Sequence, residues 1–344
     1  MPKIYNHCSA SEFGFTLIEL LIALAISSIF LAGVIQIFST SSTSYSLQED
    51  MATMQQNIRV GKMFIERDIR MAGCGMNNLS QLGSPITFTD GTATGADTLT
   101  ITYIDLNSES CNLPQLTLSG SMPDTSSEAD INESLTTSPY SDWVSSSCTS
   151  GVFRAIITSS QDSSKSEVIY ITNVQASSNK LQNRPYYGYA KQINTYPAGS
   201  TINFFKDTSF ITITYSLSGE TLQRTFSQGV LSDLSCTGSQ CPTGTPSYGT
   251  PQPIAENIED LQFAFGLDTT ASGSVDTWVN SADLTTTQQP QVRLVRINIL
   301  GRTAHQHPGQ TSTRPAIENH TAATVADHYS RQLLTTTVEV RNMR

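Results

Sequence analysis

One stretch constrains the chain more than any other. Residues 20–38, LLIALAISSIFLAGVIQIF, run for 19 residues without a charge, and the next charged side chain is Glu49. As a helix rising 1.5 Å per residue, the run spans about 28 Å, close to the hydrocarbon thickness of a bilayer. A secretory signal peptide is the competing reading. Three features oppose it. The run is longer than an ordinary h-region, no A-x-A-like site closes it, and the carboxylate of Glu19 sits just inside its amino end. The segment reads as a retained membrane helix.

Composition narrows the class of the remainder. Acidic residues number 29 against 19 basic, for a net charge of −10, and only 14% of the 344 residues are charged. Such a balance, with no run of Lys and Arg along the chain, argues against binding nucleic acid by neutralising phosphates. A chain poor in charge, rich in Ser and Thr, and carrying short β-branched runs resembles exported β-proteins more than cytosolic enzymes. Its six cysteines point to an oxidising compartment. No G-x-S-x-G, H-E-x-x-H, Walker or Rossmann pattern lies on a suitable element, and nothing in the sequence supports catalysis.

The helix is expected to continue beyond the apolar run. After the Ser/Thr-rich stretch 39–46, whose poor helix formers would kink or fray it, Met51, Met54, Ile58, Ile65 and Ile69 recur at helical spacing. Glu66 and Arg70 are placed to pair at i,i+4, and Gly73 and Gly75 supply stop signals. From residue 99 the period changes to two. Strands are predicted over 99–104, 152–158, 168–174, 210–217, 221–226, 258–265, 292–300 and 333–341, with Ser218-Gly219 as a tight turn. The fold class is α+β: a long N-terminal helix, membrane half and amphipathic half, packed on a mainly antiparallel sheet domain. Between the strands, the polar stretches 119–150, 233–253, 268–290 and 302–330 are long enough to carry surface recognition.

The junction before the apolar run gives the resemblance. Gly14-Phe15-Thr16-Leu17-Ile18-Glu19 resembles the class III signal of type IV prepilins and pseudopilins. In that family a membrane peptidase cuts after the Gly and methylates the new terminal Phe. The resemblance therefore implies that Gly14 ends a leader and that Phe15 becomes the N-methylated first residue. It implies further that Glu19 pairs with the Phe amine of a neighbouring subunit during assembly. A carboxylate in a membrane costs about 2.5 to 3.5 kcal/mol at full depth, so it is kept for a partner. Two departures stand out. The leader has only Lys3 as a fixed cation, offset by Glu12, and Gln36 stands where many major pilins carry a mid-membrane Pro. The first weakens the positive-inside signal, and the second leans towards a minor pilin. RVGKMFIERDIRMAG, NIEDLQFAFGLD, VRLVRINILGRT and the terminal VEVRNMR are similar to the PilW family of minor pilins.

The resemblance implies a minor pilin acting in type IV pilus assembly, in a tip or priming complex. Its expected layout is a leader 1–14, a membrane or filament-core helix 15–38, a periplasmic half 39–75, and a β-rich domain 76–344. Expected partners are the prepilin peptidase, other minor pilins, the major pilin and inner-membrane lipid, with no nucleic acid and no cofactor. The chain would sit in the inner membrane with its carboxyl domain in the periplasm, and afterwards in the pilus. A J-class pseudopilin of type II secretion is the alternative, and a membrane-tethered enzyme or adhesin a more distant one.

The remaining candidates lie in the loops. Cys8 leaves with the leader. Cys236 can pair with Cys241 across a short loop, and Cys111 with Cys148 around the Ser/Asp-rich segment; connectivity stays open, because Cys74 can enter either pair. PilW-like proteins often carry an acidic loop here that suits Ca²⁺, which makes Asp268 and Asp276 weak metal candidates. Thr270, Ser272 and Ser274 stand at the intermediate positions, and Val279 where an EF-hand needs Glu, so an ordinary Ser/Gly loop is expected. His305, His307, His320 and His328 read as solvated loop histidines.

Overall fold

The computed structural model describes residues 16–76, 84–92, 95–105, 115–145, 153–162, 165–183, 194–205, 210–228, 247–285 and 287–342. The chain divides into two compact units, Met1–Ala52 and Thr53–Arg344. The first helix, α1, covers Leu17–Met71 and so contributes to both. No break falls in the Ser/Thr-rich stretch, contrary to the expected kink. Thr40 Oγ1 donates to the Gln36 carbonyl and Thr43 Oγ1 to the Ser39 carbonyl, each at 3.0 Å. These hydroxyls bond back one turn along the helix, and the helix absorbs them.

In the first unit, every described residue from 16 to 46 is exposed, including Ile29, Phe30 and Phe38. Leu17–Met71 is long and apolar enough in its first half to cross a membrane.

In the second unit, α1 buries one stripe: Met54, Ile58, Gly61, Ile65, Asp68 and Ile69. The 4-3-4-3 spacing is that of one helix face. Met51, expected on this stripe, is 37% exposed. Glu66 pairs with Lys62, 3.3 Å away, rather than with Arg70, and it accepts from Thr336 Oγ1 at 2.8 Å. Gly73 and Gly75 end the helix, both with φ of +73°. Asn342 Nδ2 then donates to the carbonyls of Arg70 and Ala72, so the end of the chain caps the end of α1.

Two sheets receive that stripe, and all strand pairs among the described residues are antiparallel. The first has the order β1 (Ile86–Thr89), β2 (Thr98–Ile104), β10 (Phe210–Ser218), β11 (Thr221–Gln228), β12 (Ser247–Tyr248), with β13 (Gln252–Ala255) also on β11. The second has the order β15 (Thr277–Asn280), β14 (Ile258–Leu267), β16 (Val292–Arg302), β17 (Arg331–Glu339). The β10–β11 turn is Gly219-Glu220, one residue later than expected, because Ser218 still pairs with Thr221. Leu261, Phe263 and Phe265 of β14 join Val295, Ile297 and Ile299 of β16 and the α1 stripe in one core. The fit is close. A Cβ on Gly301 would lie 2.7 Å from Ile58 Cδ1, so the helix can reach β16 only over a glycine.

β2 and β10 are direct neighbours, with Ile104 opposite Phe210. The chain between them builds a second core that the sequence reading did not separate. It contains a sheet ordered β3 (Gln115–Thr117), β9 (Thr201–Phe205), β5 (Phe153–Thr158), β6 (Ser166–Ile171). Beside it lies a smaller one of β4 (Glu128–Asp130), β8 (Lys180–Gln182), β7 (Asn173–Gln175). The single strand predicted over 168–174 is two strands. At Thr172 the chain leaves β6 for the smaller sheet, its N–H bonded to the Gln182 carbonyl. Within the polar stretch 119–150 a short helix, α2 (Tyr140–Ser145), packs Trp143 against Phe204 with ring centroids 4.9 Å apart. Met76, Ile104 and Phe210 meet Ile156 and join this inserted module to the main core.

The burial stripe makes a paired prediction. Met54→Ala should destabilise the full chain in detergent micelles by about 2–5 kcal/mol, and Met51→Ala by no more than about 0.5 kcal/mol. Urea denaturation followed by circular dichroism would reverse that order only if α1 docked in another register.

Candidate assembly site

Gly14 and Phe15 lie outside the described residues, and Glu19 is the first member of the expected site within them. Thr16 precedes the first turn of α1. Its N–H and its Oγ1 both donate to Glu19 Oε2 at 2.9 Å, and the Glu19 N–H donates back to Thr16 Oγ1 at 3.4 Å. Thr-x-x-Glu is a capping box: each end of the motif satisfies a backbone donor that the helix start leaves unpaired. The T-L-I-E spacing itself carried this signal.

At the other end of α1, the structure reveals a charged site that the sequence reading passed over. Asp68 falls on the buried stripe, 3% exposed, where the spacing calls for an apolar residue. Its Oδ2 accepts from Tyr215 Oη at 2.5 Å and from Arg224 Nε at 2.7 Å, and Oδ1 accepts from Arg67 Nε at 3.0 Å. Burial, reinforced by the Asp68 carboxylate, drives the Tyr215 hydroxyl far above the ordinary phenol range, so it remains a donor. The arrangement ties helix to hairpin. An ionisable residue on an apolar stripe was the available clue, but its partners lie 147 and 156 residues away.

The loop candidates fall differently. Asp268 Oδ1 accepts the Ser272 N–H and Oδ2 the Gly273 N–H, at 2.8 and 2.9 Å. Arg293 lies 3.7 Å from Oδ2. Asp276 accepts the N–H groups of Thr269 and Thr270 at 3.0 and 3.2 Å. Both carboxylates therefore hold their own loop together. Among the described residues, no group of three or more His, Cys, Asp or Glu side chains is placed to hold a metal ion. Cys111, Cys148, Cys236 and Cys241 lie outside the described residues, and Cys74 is a free thiol.

Two of the four histidines correct the expectation of a solvated loop. His305 and His328 are exposed, whereas His307 and His320 are buried. His320 Nδ1 lies 2.8 Å from Asp260 Oδ2, a partner on β14 some 60 residues earlier, which spacing could not reveal. This dyad has the outline of a general base and its orienting carboxylate. Its Nε2, however, faces the Thr92 carbonyl at 2.5 Å, where a nucleophile would have to stand.

The polar stretch 302–330 is likewise anchored rather than loose. Arg296 holds Glu318 through Nε and Nη2 at 2.8 and 3.0 Å, and Asn298 Nδ2 donates to the same carboxylate at 2.8 Å. Arg331 binds both Glu259 and Asp327.

Residues 10–35 match the model of the prokaryotic N-terminal methylation motif, and residues 222–342 match that of type IV pilus-assembly protein W. No curated protein matches the chain significantly. Among solved structures, a type IV-like pilin from Thermus thermophilus aligns over 84% of this chain and 98% of its own, at 10% identity and a TM-score of 0.33. At that score the likeness is loose, and the fold assignment rests on the chain's own helix and antiparallel sheets. The methylation motif on a long exposed apolar helix fits a membrane-anchored protein of the prepilin class. The second match, spanning β11 to the capping residue Asn342, supports a minor pilin similar to the PilW family, acting in type IV pilus assembly.

Two substitutions test the Asp68 tie. Asp68→Ala leaves Arg224 and Tyr215 without their shared acceptor and should cost about 3–5 kcal/mol. Tyr215→Phe removes one hydrogen bond to a charged group and should cost about 1.5–3 kcal/mol. Chemical denaturation of the two variants should preserve that ranking.

Proposed function

We propose that the chain is cut after Gly14 and methylated at Phe15, and that Glu19 guides its entry into the pilus. The supporting observation is the capping box. It holds Glu19 Oε2 against Thr16, at the head of an exposed apolar helix, and no described contact engages Oε1. An ammonium at residue 15 of a neighbouring subunit is the complement such a carboxylate requires in an apolar surround. The capping box also orders the helix start before any neighbour arrives, which lowers the entropy cost of pairing.

In this reading residues 15–38 anchor the subunit in the inner membrane, and the helix from residue 39 and the domain 76–344 lie in the periplasm. The prepilin peptidase processes the chain, other minor pilins and the major pilin are its neighbours, and it occupies a tip or priming position. The inserted module supports that placement, since added bulk is better accommodated at an end than in a repeating shaft. The role is one of docking geometry rather than turnover.

Mass spectrometry of the amino terminus in sheared filaments and in the cell envelope tests the proposal. N-methylated Phe15 in the sheared fraction is the expected result. The same terminus confined to the envelope would favour a secretion pseudopilin, and an intact Met1 or a cut beyond Phe38 would overturn the processing scheme. Glu19→Ala should leave processing intact and lower incorporation into filaments by at least about tenfold. That factor corresponds to about 1.4 kcal/mol, just under the roughly 1.5–3 kcal/mol of one hydrogen bond to a charged group.

A further inference from the structure

The segment 303–330 leaves β16, crosses the face of the second sheet away from α1, and returns as β17. Its attachment is unusual in kind. Of its 28 residues only Ile317 is a buried apolar side chain, and the other buried side chains are Thr303, His307 and His320. What holds the segment is polar: Glu318 on Arg296 and Asn298, Asp327 on Arg331, and His320 with Arg314 on Asp260. A segment secured by charge rather than by core has a low local unfolding free energy and responds to whatever alters that charge.

His320 is the innermost of these contacts, and both of its ring nitrogens face oxygen atoms. Nδ1 faces a carboxylate oxygen of Asp260 at 2.8 Å, and Nε2 faces the main-chain carbonyl of Thr92 at 2.5 Å. Both partners are acceptors, whereas a neutral imidazole carries one N–H. A proton placed on Asp260 Oδ2 would meet the same two contacts, but that carboxylate is already surrounded by donors. Asp260 Oδ1 already accepts from the Leu261 N–H at 2.9 Å and Gln262 Nε2 at 3.0 Å, and Arg314 lies 3.6 Å from Oδ2. The charged groups around the ring come from three parts of the chain. Asp260 comes from β14 and Arg314 from the segment itself. Asp90, from the chain between β1 and β2, is near enough for the ring's charge to act on it. Asp90 is bound by Asn319 Nδ2 at 2.7 Å and Ser281 Oγ at 2.9 Å. Arg314 is the guanidinium beside Asp260. Asp97, deeper in the same region, accepts the N–H groups of Gly91 and Phe263 and does not touch the ring.

We propose that residues 303–330 form a strap latched by His320 in its doubly protonated state, and that withdrawing one ring proton releases the strap from β14 and from the β1–β2 connection. The direction follows from the acceptors. With one N–H gone, a nitrogen lone pair faces either the Asp260 carboxylate or the Thr92 carbonyl, and that contact becomes repulsive. The latch is therefore closed where the imidazole is charged and opens as pH rises.

Hydrogen exchange of the full-length chain in detergent micelles, read by mass spectrometry from about pH 6 to about pH 9 and corrected for intrinsic exchange, tests this. The reporters are the amides of His307, Ile317, His320 and Ala323, each bonded within or across the strap. Their protection should fall by about tenfold or more over the range, while that of the β10–β11 hairpin holds. His320→Gln should lower strap protection at every pH and remove the slope. His305→Gln, His307→Gln and His328→Gln should each keep it. Wild-type strap protection that tracks the hairpin throughout would overturn the proposal, as would a wild-type slope in His320→Gln. If His320→Gln does not fold, the other three variants decide: loss of the slope in any of them places the titrating group elsewhere.

Discussion

The second unit depends on how closely one helix face can approach two sheets at once. Between Met54 and Ile69 the stripe on α1 meets β10 and β11 on one side and β14 and β16 on the other, and the approach is set by glycines. Gly301 lets β16 come under Ile58, and Gly61 lets the helix come over Leu222. Dispersion forces fall steeply with separation, so a gap of even half an ångström there would forfeit much of the contact energy along the interface. Asp68 adds direction to this packing. Apolar stripes can slide by a turn at modest cost, but a carboxylate that must meet both Tyr215 and Arg224 cannot.

What was legible in the sequence follows from range. The strands of the main domain announced themselves through local alternation, and seven of the eight predicted runs match observed strands to within two residues at each end, six of them in that domain. The N-terminal motif was legible because its chemistry is confined to six consecutive residues. The inserted module was not. Its strands are short, several of three residues, and its core is assembled from pairings such as β4 with β8, which no local period marks. The buried polar sites failed for the same reason. Asp68, Asp260 and His320 are unremarkable beside their chain neighbours and become significant only when residues tens or hundreds of positions distant are brought against them.

The second sheet shows two ways of covering a surface. Its inner face is closed by the helix through apolar packing. Its outer face carries Gln262, Arg296 and Asn298 and is covered by chain that offers hydrogen bonds and charges in return. The first kind of closure is insensitive to solution conditions over the physiological range. The second can be strong in one state of charge and weak in another. Placing both on one sheet separates the part of the molecule that must stay assembled from a part that is free to respond.

The adjacency of β2 and β10 has a consequence for how such a subunit can diversify. Because Ile104 stands directly opposite Phe210, the inserted module leaves and rejoins the main sheet at one point, as a cassette held by both ends. The cost of closing a loop grows only with the logarithm of its length, so the host sheet scarcely registers whether ten residues or a hundred hang from that junction. Natural variation can enlarge, trim or exchange the cassette while helix, core and chain termini keep their geometry. A filament-building lineage could in this way renew the surface it presents without redesigning the part that assembles.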